Sequence, residues 1–271
     1  MPFPALILGA LIMRQHDVPS SRWGLNLVGG VLGAAISVVF LARSRPATMS
    51  KRAATISAWA AAAVVAATFA IAGSMGVHRW ITVGPLNLHA GAVCLPVLIV
   101  AFGGLDAFGG KAQWAPLLLA VFVATLLLLQ PDAAQATAFA GGAFTLLFAN
   151  AQRARVAWAA ALVIALLAAW TWRRPDPLPP VPYVEGIVGL ARQSGPGWLL
   201  ASIAALVLLP IPFFVSPSGS QSAVARALGV YLCICILAPF FGSFPVPLLG
   251  FGLSPIVGYF VGLAMSFESR R

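Results

Sequence analysis

Long apolar runs alternate with short clusters of Gly, Pro and Arg from the first residues of the chain to the last. A helix crosses a bilayer core with about 20 mostly apolar residues, and with fewer where it is kinked or sheltered by neighbours. With charge clusters and Pro/Gly breaks read as ends, the pattern predicts spans near 2–13, 24–42, 54–73, 90–105, 113–130, 135–150, 156–172, 198–215, 227–242 and 250–267. The first run is short for a span, so the count is ten, or nine if it does not cross. The expected fold class is all-α: a polytopic transmembrane helix bundle forming a single integral membrane domain over 1–271.

Basic residues give the bundle a direction. With the N-terminus inside, the inner loops and tail hold Arg43, Arg45, Lys51, Arg52, Lys111, Arg153, Arg155, Arg226, Arg270 and Arg271. The outer loops hold only Arg14, Arg22, Arg79, Arg173, Arg174 and Arg192. Because Lys and Arg accumulate on the cytoplasmic side, both termini are expected in the cytoplasm, anchored most firmly by the loop at 43–52. If 2–13 does not span, only the N-terminus changes side.

Composition narrows the classes further. The 271 residues are 61% hydrophobic and 8% charged, with a mean hydropathy of +0.96. Soluble domains carry about 25% charged residues, so there is too little polar surface to coat a water-soluble globule. The formal charge of +10 would suggest nucleic acid in a soluble protein. Here it sits in short loops, where acidic phospholipid headgroups are the expected membrane partner and no nucleic acid is expected. Cys94, Cys233 and Cys235 lie inside apolar runs without metal-ligand spacing and read as buried free thiols. Residues 2–13 lack the basic start and small-residue cleavage site of a signal peptide. An alternating-access transporter is the least favoured class, since no internal repeat is evident and the acidic residues fall at or near predicted helix ends.

Four phrases carry the candidate chemistry. GVHRWITVGPLNLHAGA at 76–92 gathers His78, Arg79, Trp80 and His89, whose bland reading is a Trp belt with hydrogen-bonded histidines. LLLLQPDAAQATA at 126–138 places Pro131 at the end of one helix and Asp132 where it can cap the next. The segment 173–197 has prolines at 175, 177, 179, 180 and 182, which make its first half a stiff outer strap. Its second half, Glu185 to Gln193, predicts a short interfacial helix with Glu185 near the positive N-terminal end. PFFGSFPVPLLGFGLSPIVGYFVGLAMS at 239–266 pairs Pro245 and Pro247 ahead of Gly250 and Gly252, breaking the start of the last helix.

Taken in order, these phrases resemble the SEDS proteins (shape, elongation, division and sporulation). HRWITVGPLNLHAG is similar to that family's arginine-tryptophan, glycine-proline outer segment ahead of its fourth helix, and LLQPDAAQATA to its QPD-leucine-glycine-threonine-alanine motif. PVPYVEGIVGLARQSGPGWLLASIA is similar to the histidine-threonine-aspartate-phenylalanine loop and the glutamate pair leading into helix eight. FGSFPVPLLGFGLSP is similar to the C-terminal proline-leucine-proline, serine-tyrosine-glycine-glycine signature. The likeness covers most of 70–267, and residues 1–69 match in topology only.

The resemblance implies a polymerase of undecaprenyl-linked disaccharide (lipid II), in division or shape maintenance, in the bacterial cytoplasmic membrane. Glu185 falls at the position of that family's catalytic aspartate and is the candidate general base. Arg79, Trp80, Asp132, Arg173, Arg174 and Arg192 are the candidate substrate-binding residues, with a divalent cation implied if the protein is catalytic. A class B penicillin-binding protein is the implied membrane partner. The departures are substantial. Ala92 and Leu95 replace a glutamate and a lysine, Arg192 and Gln193 replace the glutamate pair, and Gly250 and Phe251 replace serine and tyrosine. A long segment before Glu185 is missing, and the cavity is expected to have become largely apolar. Two readings therefore stand side by side. One is a divergent glycosyltransferase; the other is a non-catalytic subunit scaffolding a larger complex through a lipid-facing stripe of Gly29, Gly30, Gly33 and Ala34.

Overall fold

The computed structural model describes residues 1–43, 49–108, 114–149, 155–215 and 220–267, apart from the side chains of Arg43, Ser220, Gln221 and Phe267. The predicted inner-loop cations Arg45, Lys111, Arg153, Arg270 and Arg271 lie outside the described residues.

Helices dominate. In chain order they are α1 (Phe3–Gln15), α2 (Ser20–Arg43), α3 (Lys51–Ala67), α4 (Ala90–Gly104), α5 (Trp114–Leu129), α6 (Ala133–Ala149) and α7 (Arg155–Thr171). The series continues with α8 (Ile187–Ser194), α9 (Pro196–Leu208), α10 (Ile211–Phe214), α11 (Ser220–Leu237) and α12 (Leu253–Phe267). Their starts follow local chemistry: Pro occupies the first turn of α1 and α9, where its missing N–H is harmless, and the Ser50 hydroxyl accepts from Ala53 N–H to cap α3. Four stretches are long and apolar enough to cross a membrane: Ser20–Ala42, Lys51–Ala70, Pro196–Phe214 and Ser222–Phe240. Six shorter apolar helices accompany them.

The helical expectation holds, with one addition. Residues 80–89 form an antiparallel hairpin of β1 (Trp80–Val83) and β2 (Leu86–His89), with Trp80 paired to His89 and Val83 to Leu86. Ile81, Thr82 and Val83 favour extended backbone, and Gly84 supplies the left-handed residue of the two-residue turn at φ +58. Ten residues of hairpin are too short to disturb the periodicity of the flanking apolar runs, which is why the pattern did not reveal it.

One buried apolar cluster runs from Ala5 and Leu6 of α1 through Phe102, Leu127, Phe139 and Ile164 to Ile256 and Phe260 of α12. Helix α4 packs between α3 and α12, α6 packs on α11 and α7, and α2 lies along α12. The α4–α12 approach is close: a Cβ at Gly258 would overlap the Ala92 carbonyl, so the glycine at 258 lets the two backbones touch. The small-residue stripe of α2 needs correction. Gly29 and Gly33 face Leu253 and Phe260 of α12, and Gly30 faces Leu6 of α1. The stripe seats the chain's own helices and does not face lipid.

Candidate active site

Four chain segments meet at one end of the bundle: the hairpin, the α5–α6 junction, the strap at 172–186 and the turn at 243–252. They surround a cavity of about 390 Å³ whose wall includes Arg22, Arg79, His89, Asp132, Asp176 and Glu185. Hydrogen bonds fix each segment. The strap is clamped to the turn because Val246 N–H donates to Val184 O at 3.2 Å and Phe251 N–H to Tyr183 O at 2.9 Å. The turn is clamped in its turn by buried Asn26 of α2, which donates to Gly250 O at 2.9 Å and accepts from Gly252 N–H at 3.1 Å.

Arg79 is the junction of the site. It is 6% exposed, and all three of its side-chain nitrogens already donate to protein oxygens. Nε donates to Gln130 O at 2.9 Å, Nη1 to Asp176 Oδ2 at 2.8 Å, and Nη2 to Pro131 O. A planar fork suits these three diverging acceptors, which a lysine could not reach together. Gln130 is held in turn, its Nε2 donating to Thr68 Oγ1 at 2.8 Å.

Asp132 caps α6 by accepting from Gln135 N–H at 3.3 Å. Its other oxygen, Oδ2, lies 3.2 Å from His89 Nε2. That contact is an ion-pair approach off the hydrogen-bond direction, and Oδ2 is buried without a directed donor. His89 Nδ1 accepts from Ala92 N–H at 3.2 Å to cap α4, so the ring proton belongs on Nε2, facing Asp132. Burial pushes the Asp132 carboxyl up, but His89 and Arg79 beside it outweigh burial and hold it below the ordinary aspartate value. His89 is further seated by Trp80, whose ring meets it edge-on at 5.8 Å, and by its backbone N–H donating to Ser254 Oγ at 2.7 Å.

Glu185 stands on the strap just before α8. One of its oxygens, Oε2, accepts from Val181 N–H at 2.7 Å. The side chain is half-buried, and burial, with a smaller push from Asp176, raises its carboxyl above the ordinary glutamate value despite the backbone donors. Two carboxylates of opposite tendency therefore line one cavity: Asp132 held ionised, Glu185 inclined to take up a proton.

Of the residues nominated from sequence, Arg79, Trp80, Asp132 and Glu185 come together here. Arg173, Arg174 and Arg192 are exposed and outside the cavity wall, because the first two close the end of α7 and the third lies on the outer face of α8. Sequence reasoning missed Asp176, Gln135 and Arg22, and it treated His89 as incidental. The spacing of His89 three residues before Ala92 was a readable capping signal; Asp176 was hidden among strap prolines. The cavity is largely apolar, as expected, but its mouth is polar: Asp132, Asp176, Glu185, His89, Asn87 and Ser254 also line it. Among the described residues no three His, Cys, Asp or Glu side chains converge as metal ligands.

No family model and no curated protein matches the chain. Solved structures do. The rod shape determining protein RodA of Thermus thermophilus aligns at 18% identity over 98% of this chain and 94% of that one, with a TM-score of 0.71. An aspartate-to-alanine mutant of the same protein aligns at 18% identity over 98% and 95%, with a TM-score of 0.70. A chain from work on structural coordination of polymerization and crosslinking by a peptidoglycan synthase complex aligns at 19% identity over 98% and 96%, with a TM-score of 0.68. The fold is therefore the RodA fold, from end to end.

Proposed function

We propose that this chain, which carries the fold of the SEDS proteins, is a cell-envelope membrane protein whose outward-facing cavity binds a lipid-linked saccharide used in peptidoglycan synthesis. The observation that carries this reading is the retained cavity. It joins a polar mouth with two carboxylates to an apolar interior, within a fold that matches RodA over 98% of its length. The accompanying topology is ten membrane crossings with both termini in the cytoplasm, in the bacterial inner membrane, so that the cavity opens outside.

The chemistry follows from Glu185. A hydroxyl of the acceptor sugar attacks the anomeric carbon of the donor, the new glycosidic C–O bond forms, and its proton passes to the Glu185 carboxylate. The anomeric C–O bond to the lipid-borne phosphate breaks, and its electron pair leaves on the phosphate oxygen. Asp132 accepts a sugar hydroxyl proton as a hydrogen bond at Oδ2 and holds the ring in place. A transpeptidase-type membrane partner, of the class B penicillin-binding kind, fits a polymer that must be crosslinked.

A second reading is favoured by one observation: three of the four arginines nominated for phosphate sit outside the cavity. It makes the chain a non-catalytic SEDS-like subunit that scaffolds a larger membrane complex. Mass spectrometry of everything that purifies with the protein, lipids and polypeptides alike, separates the two. A polyprenyl-linked saccharide that is processed by the native protein and persists unprocessed with Glu185→Gln supports the enzyme. A stoichiometric protein complex without such a lipid, indifferent to Glu185→Gln, supports the subunit.

A further inference from the structure

Arg173, Arg174 and Arg192 stand outside the cavity wall and take no part in the proposed transfer. The adjacent pair at the end of α7 differs from the arginines of the cavity. Arg79 is fully engaged by Gln130, Pro131 and Asp176, and Arg22 is laid over the Phe251 ring at 5.2 Å. Arg173 and Arg174 are both exposed, and among the described residues neither guanidinium meets a carboxylate or donates to a protein oxygen. The carboxylates of the strap are committed elsewhere: Asp176 to Arg79 at 2.8 Å, and Glu185 to Val181 N–H at 2.7 Å. Two neighbouring positive charges therefore stand without a counterion. On the proposed topology they also oppose the orienting bias, which favours Lys and Arg on the cytoplasmic side. A contact on the outer surface that uses both would account for their place.

The end of α7 sets the direction of the pair. Its buried face, with Ala161, Ile164 and Ala168, packs on α5 and α6. The opposite face carries Leu162, Leu166 and Trp170, and Trp170 is 65% exposed. Arg173 and Arg174 follow Trp170 by three and four residues, which continues that face past the end of the helix. The turn that carries them is fixed by Arg173 N–H donating to Trp170 O at 2.9 Å and Arg174 N–H to Thr171 O at 3.1 Å. Trp172 pins the same turn to the bundle. Its Nε1–H donates to Thr137 Oγ1 of α6 at 2.9 Å, and its ring meets Phe244 edge-on at 5.4 Å.

Along this face the order is apolar, aromatic, then cationic. A phospholipid presents the matching order of acyl chain, interface and phosphate, with tryptophan favoured at the middle level. Guanidinium forks bind phosphate through paired, charge-assisted hydrogen bonds. A zwitterionic headgroup brings its own cation to that phosphate, whereas an anionic one leaves the charge to the protein.

We propose that Arg173 and Arg174 hold the headgroup phosphate of an anionic phospholipid at the outer end of α7, with an acyl chain along Leu162 and Leu166 and Trp170 at the boundary. Each arginine beside an anionic lipid surface contributes about fivefold to binding, and the pair about thirtyfold. The site lies apart from the cavity and stands whether or not the chain is a transferase.

The test uses the full chain in dodecyl maltoside, titrated with dioleoylphosphatidylglycerol or dioleoylphosphatidylcholine, with bound lipid counted by native mass spectrometry. The anionic lipid is expected to bind at least about tenfold more tightly. Arg173→Gln combined with Arg174→Gln should remove that preference at an unchanged melting temperature, and Arg173→Lys with Arg174→Lys should keep part of it. Arg14→Gln with Arg192→Gln takes the same charge from other exposed positions and should leave the preference in place. An equal loss from that control overturns the site in favour of diffuse surface charge. Equal binding of the two lipids by the native chain overturns the proposal directly. Displacement of the anionic lipid by excess inorganic phosphate overturns the lipid assignment and gives the arginines to free phosphate.

Discussion

Removing the Arg79 side chain would strip the donor from three oxygens at once. Gln130 O and Pro131 O lie at the buried α5–α6 junction, and Asp176 would be left as an unmatched carboxylate. Breaking a buried ion pair from one side costs about 3–5 kcal/mol, and the partial exposure of Asp176 puts this case at the lower end, near 3 kcal/mol. Thermal unfolding in detergent should show that loss for Arg79→Ala, and Arg79→Lys should recover little of it, because a point charge cannot serve three diverging acceptors. The two carboxylates make opposite predictions with pH. Asp132 titrates below its ordinary value of 3.8, so its stabilising contribution is present above that pH and is lost as pH falls through the lowered value. Glu185 titrates above 4.5, so its charged form is the costly one, and protonation relieves the folded state as pH drops through the raised value. A general base must be unprotonated. On the proposed transferase reading, the rate of sugar transfer should therefore climb with pH through an apparent value above 4.5, and Glu185→Asp should shift that limb while Glu185→Gln removes activity altogether.

At the scale of elements, the hairpin positions Arg79 and Trp80 at one end and His89 at the other, so its turn is a structural control of the site. A Cβ at Gly84 would meet nothing, which means that any cost of substitution there is conformational. Gly84→Val places a β-branched residue at φ +58 and should cost about 1–3 kcal/mol. Gly84→Asn, which has no β-branch, should cost less. Equal losses from the two, measured by thermal melting, would mean that the turn does not hold this conformation. The long apolar helices were legible because hydrophobic runs and charge clusters report them directly. Hairpin and strap were not, since both are short, and their form depends on partners distant in sequence: Ser254 for His89, Phe251 for Tyr183. Asp132 and Glu185 could be read from local motifs, as helix cap and pre-helical carboxylate. Arg22 could not, because nothing near it in sequence says that Phe251 and the cavity mouth lie beside it. The error about Gly29, Gly30 and Gly33 has the same origin, for a stripe of small residues looks identical whether it receives lipid, a partner helix or the chain's own α1 and α12.

The whole molecule places its recognisable chemistry at one end, and the proposed topology, drawn from the basic residues of its loops, turns that end outward. Strap, hairpin and α8 belong to the loops poorer in Arg and Lys, whereas Met49 to Arg52 lie in the loop with the densest positive charge. With Cys94, Cys233 and Cys235 replaced by Ser, a cysteine at Gly189, which has open space around it, should react in intact cells with a membrane-impermeant maleimide. One at exposed Ser50 should react only after permeabilisation. The first helix decides between ten crossings and nine. Helix α1 has only 13 residues, yet it buries Ala5, Leu6, Ile12 and Met13 against α2, α8 and α9 while Ile7 and Leu11 stay exposed, the two-sided pattern of a short span at the edge of a bundle. A cysteine at exposed Met1 is therefore expected to be protected in intact cells, like the one at Ser50. Reaction at Met1 before permeabilisation, with Gly189 also reactive, would put the N-terminus outside and leave nine crossings, with the cavity still facing outward. Protection of Gly189 would be the more consequential result, since it would turn the cavity toward the cytoplasm and remove the basis for polymer synthesis outside the membrane.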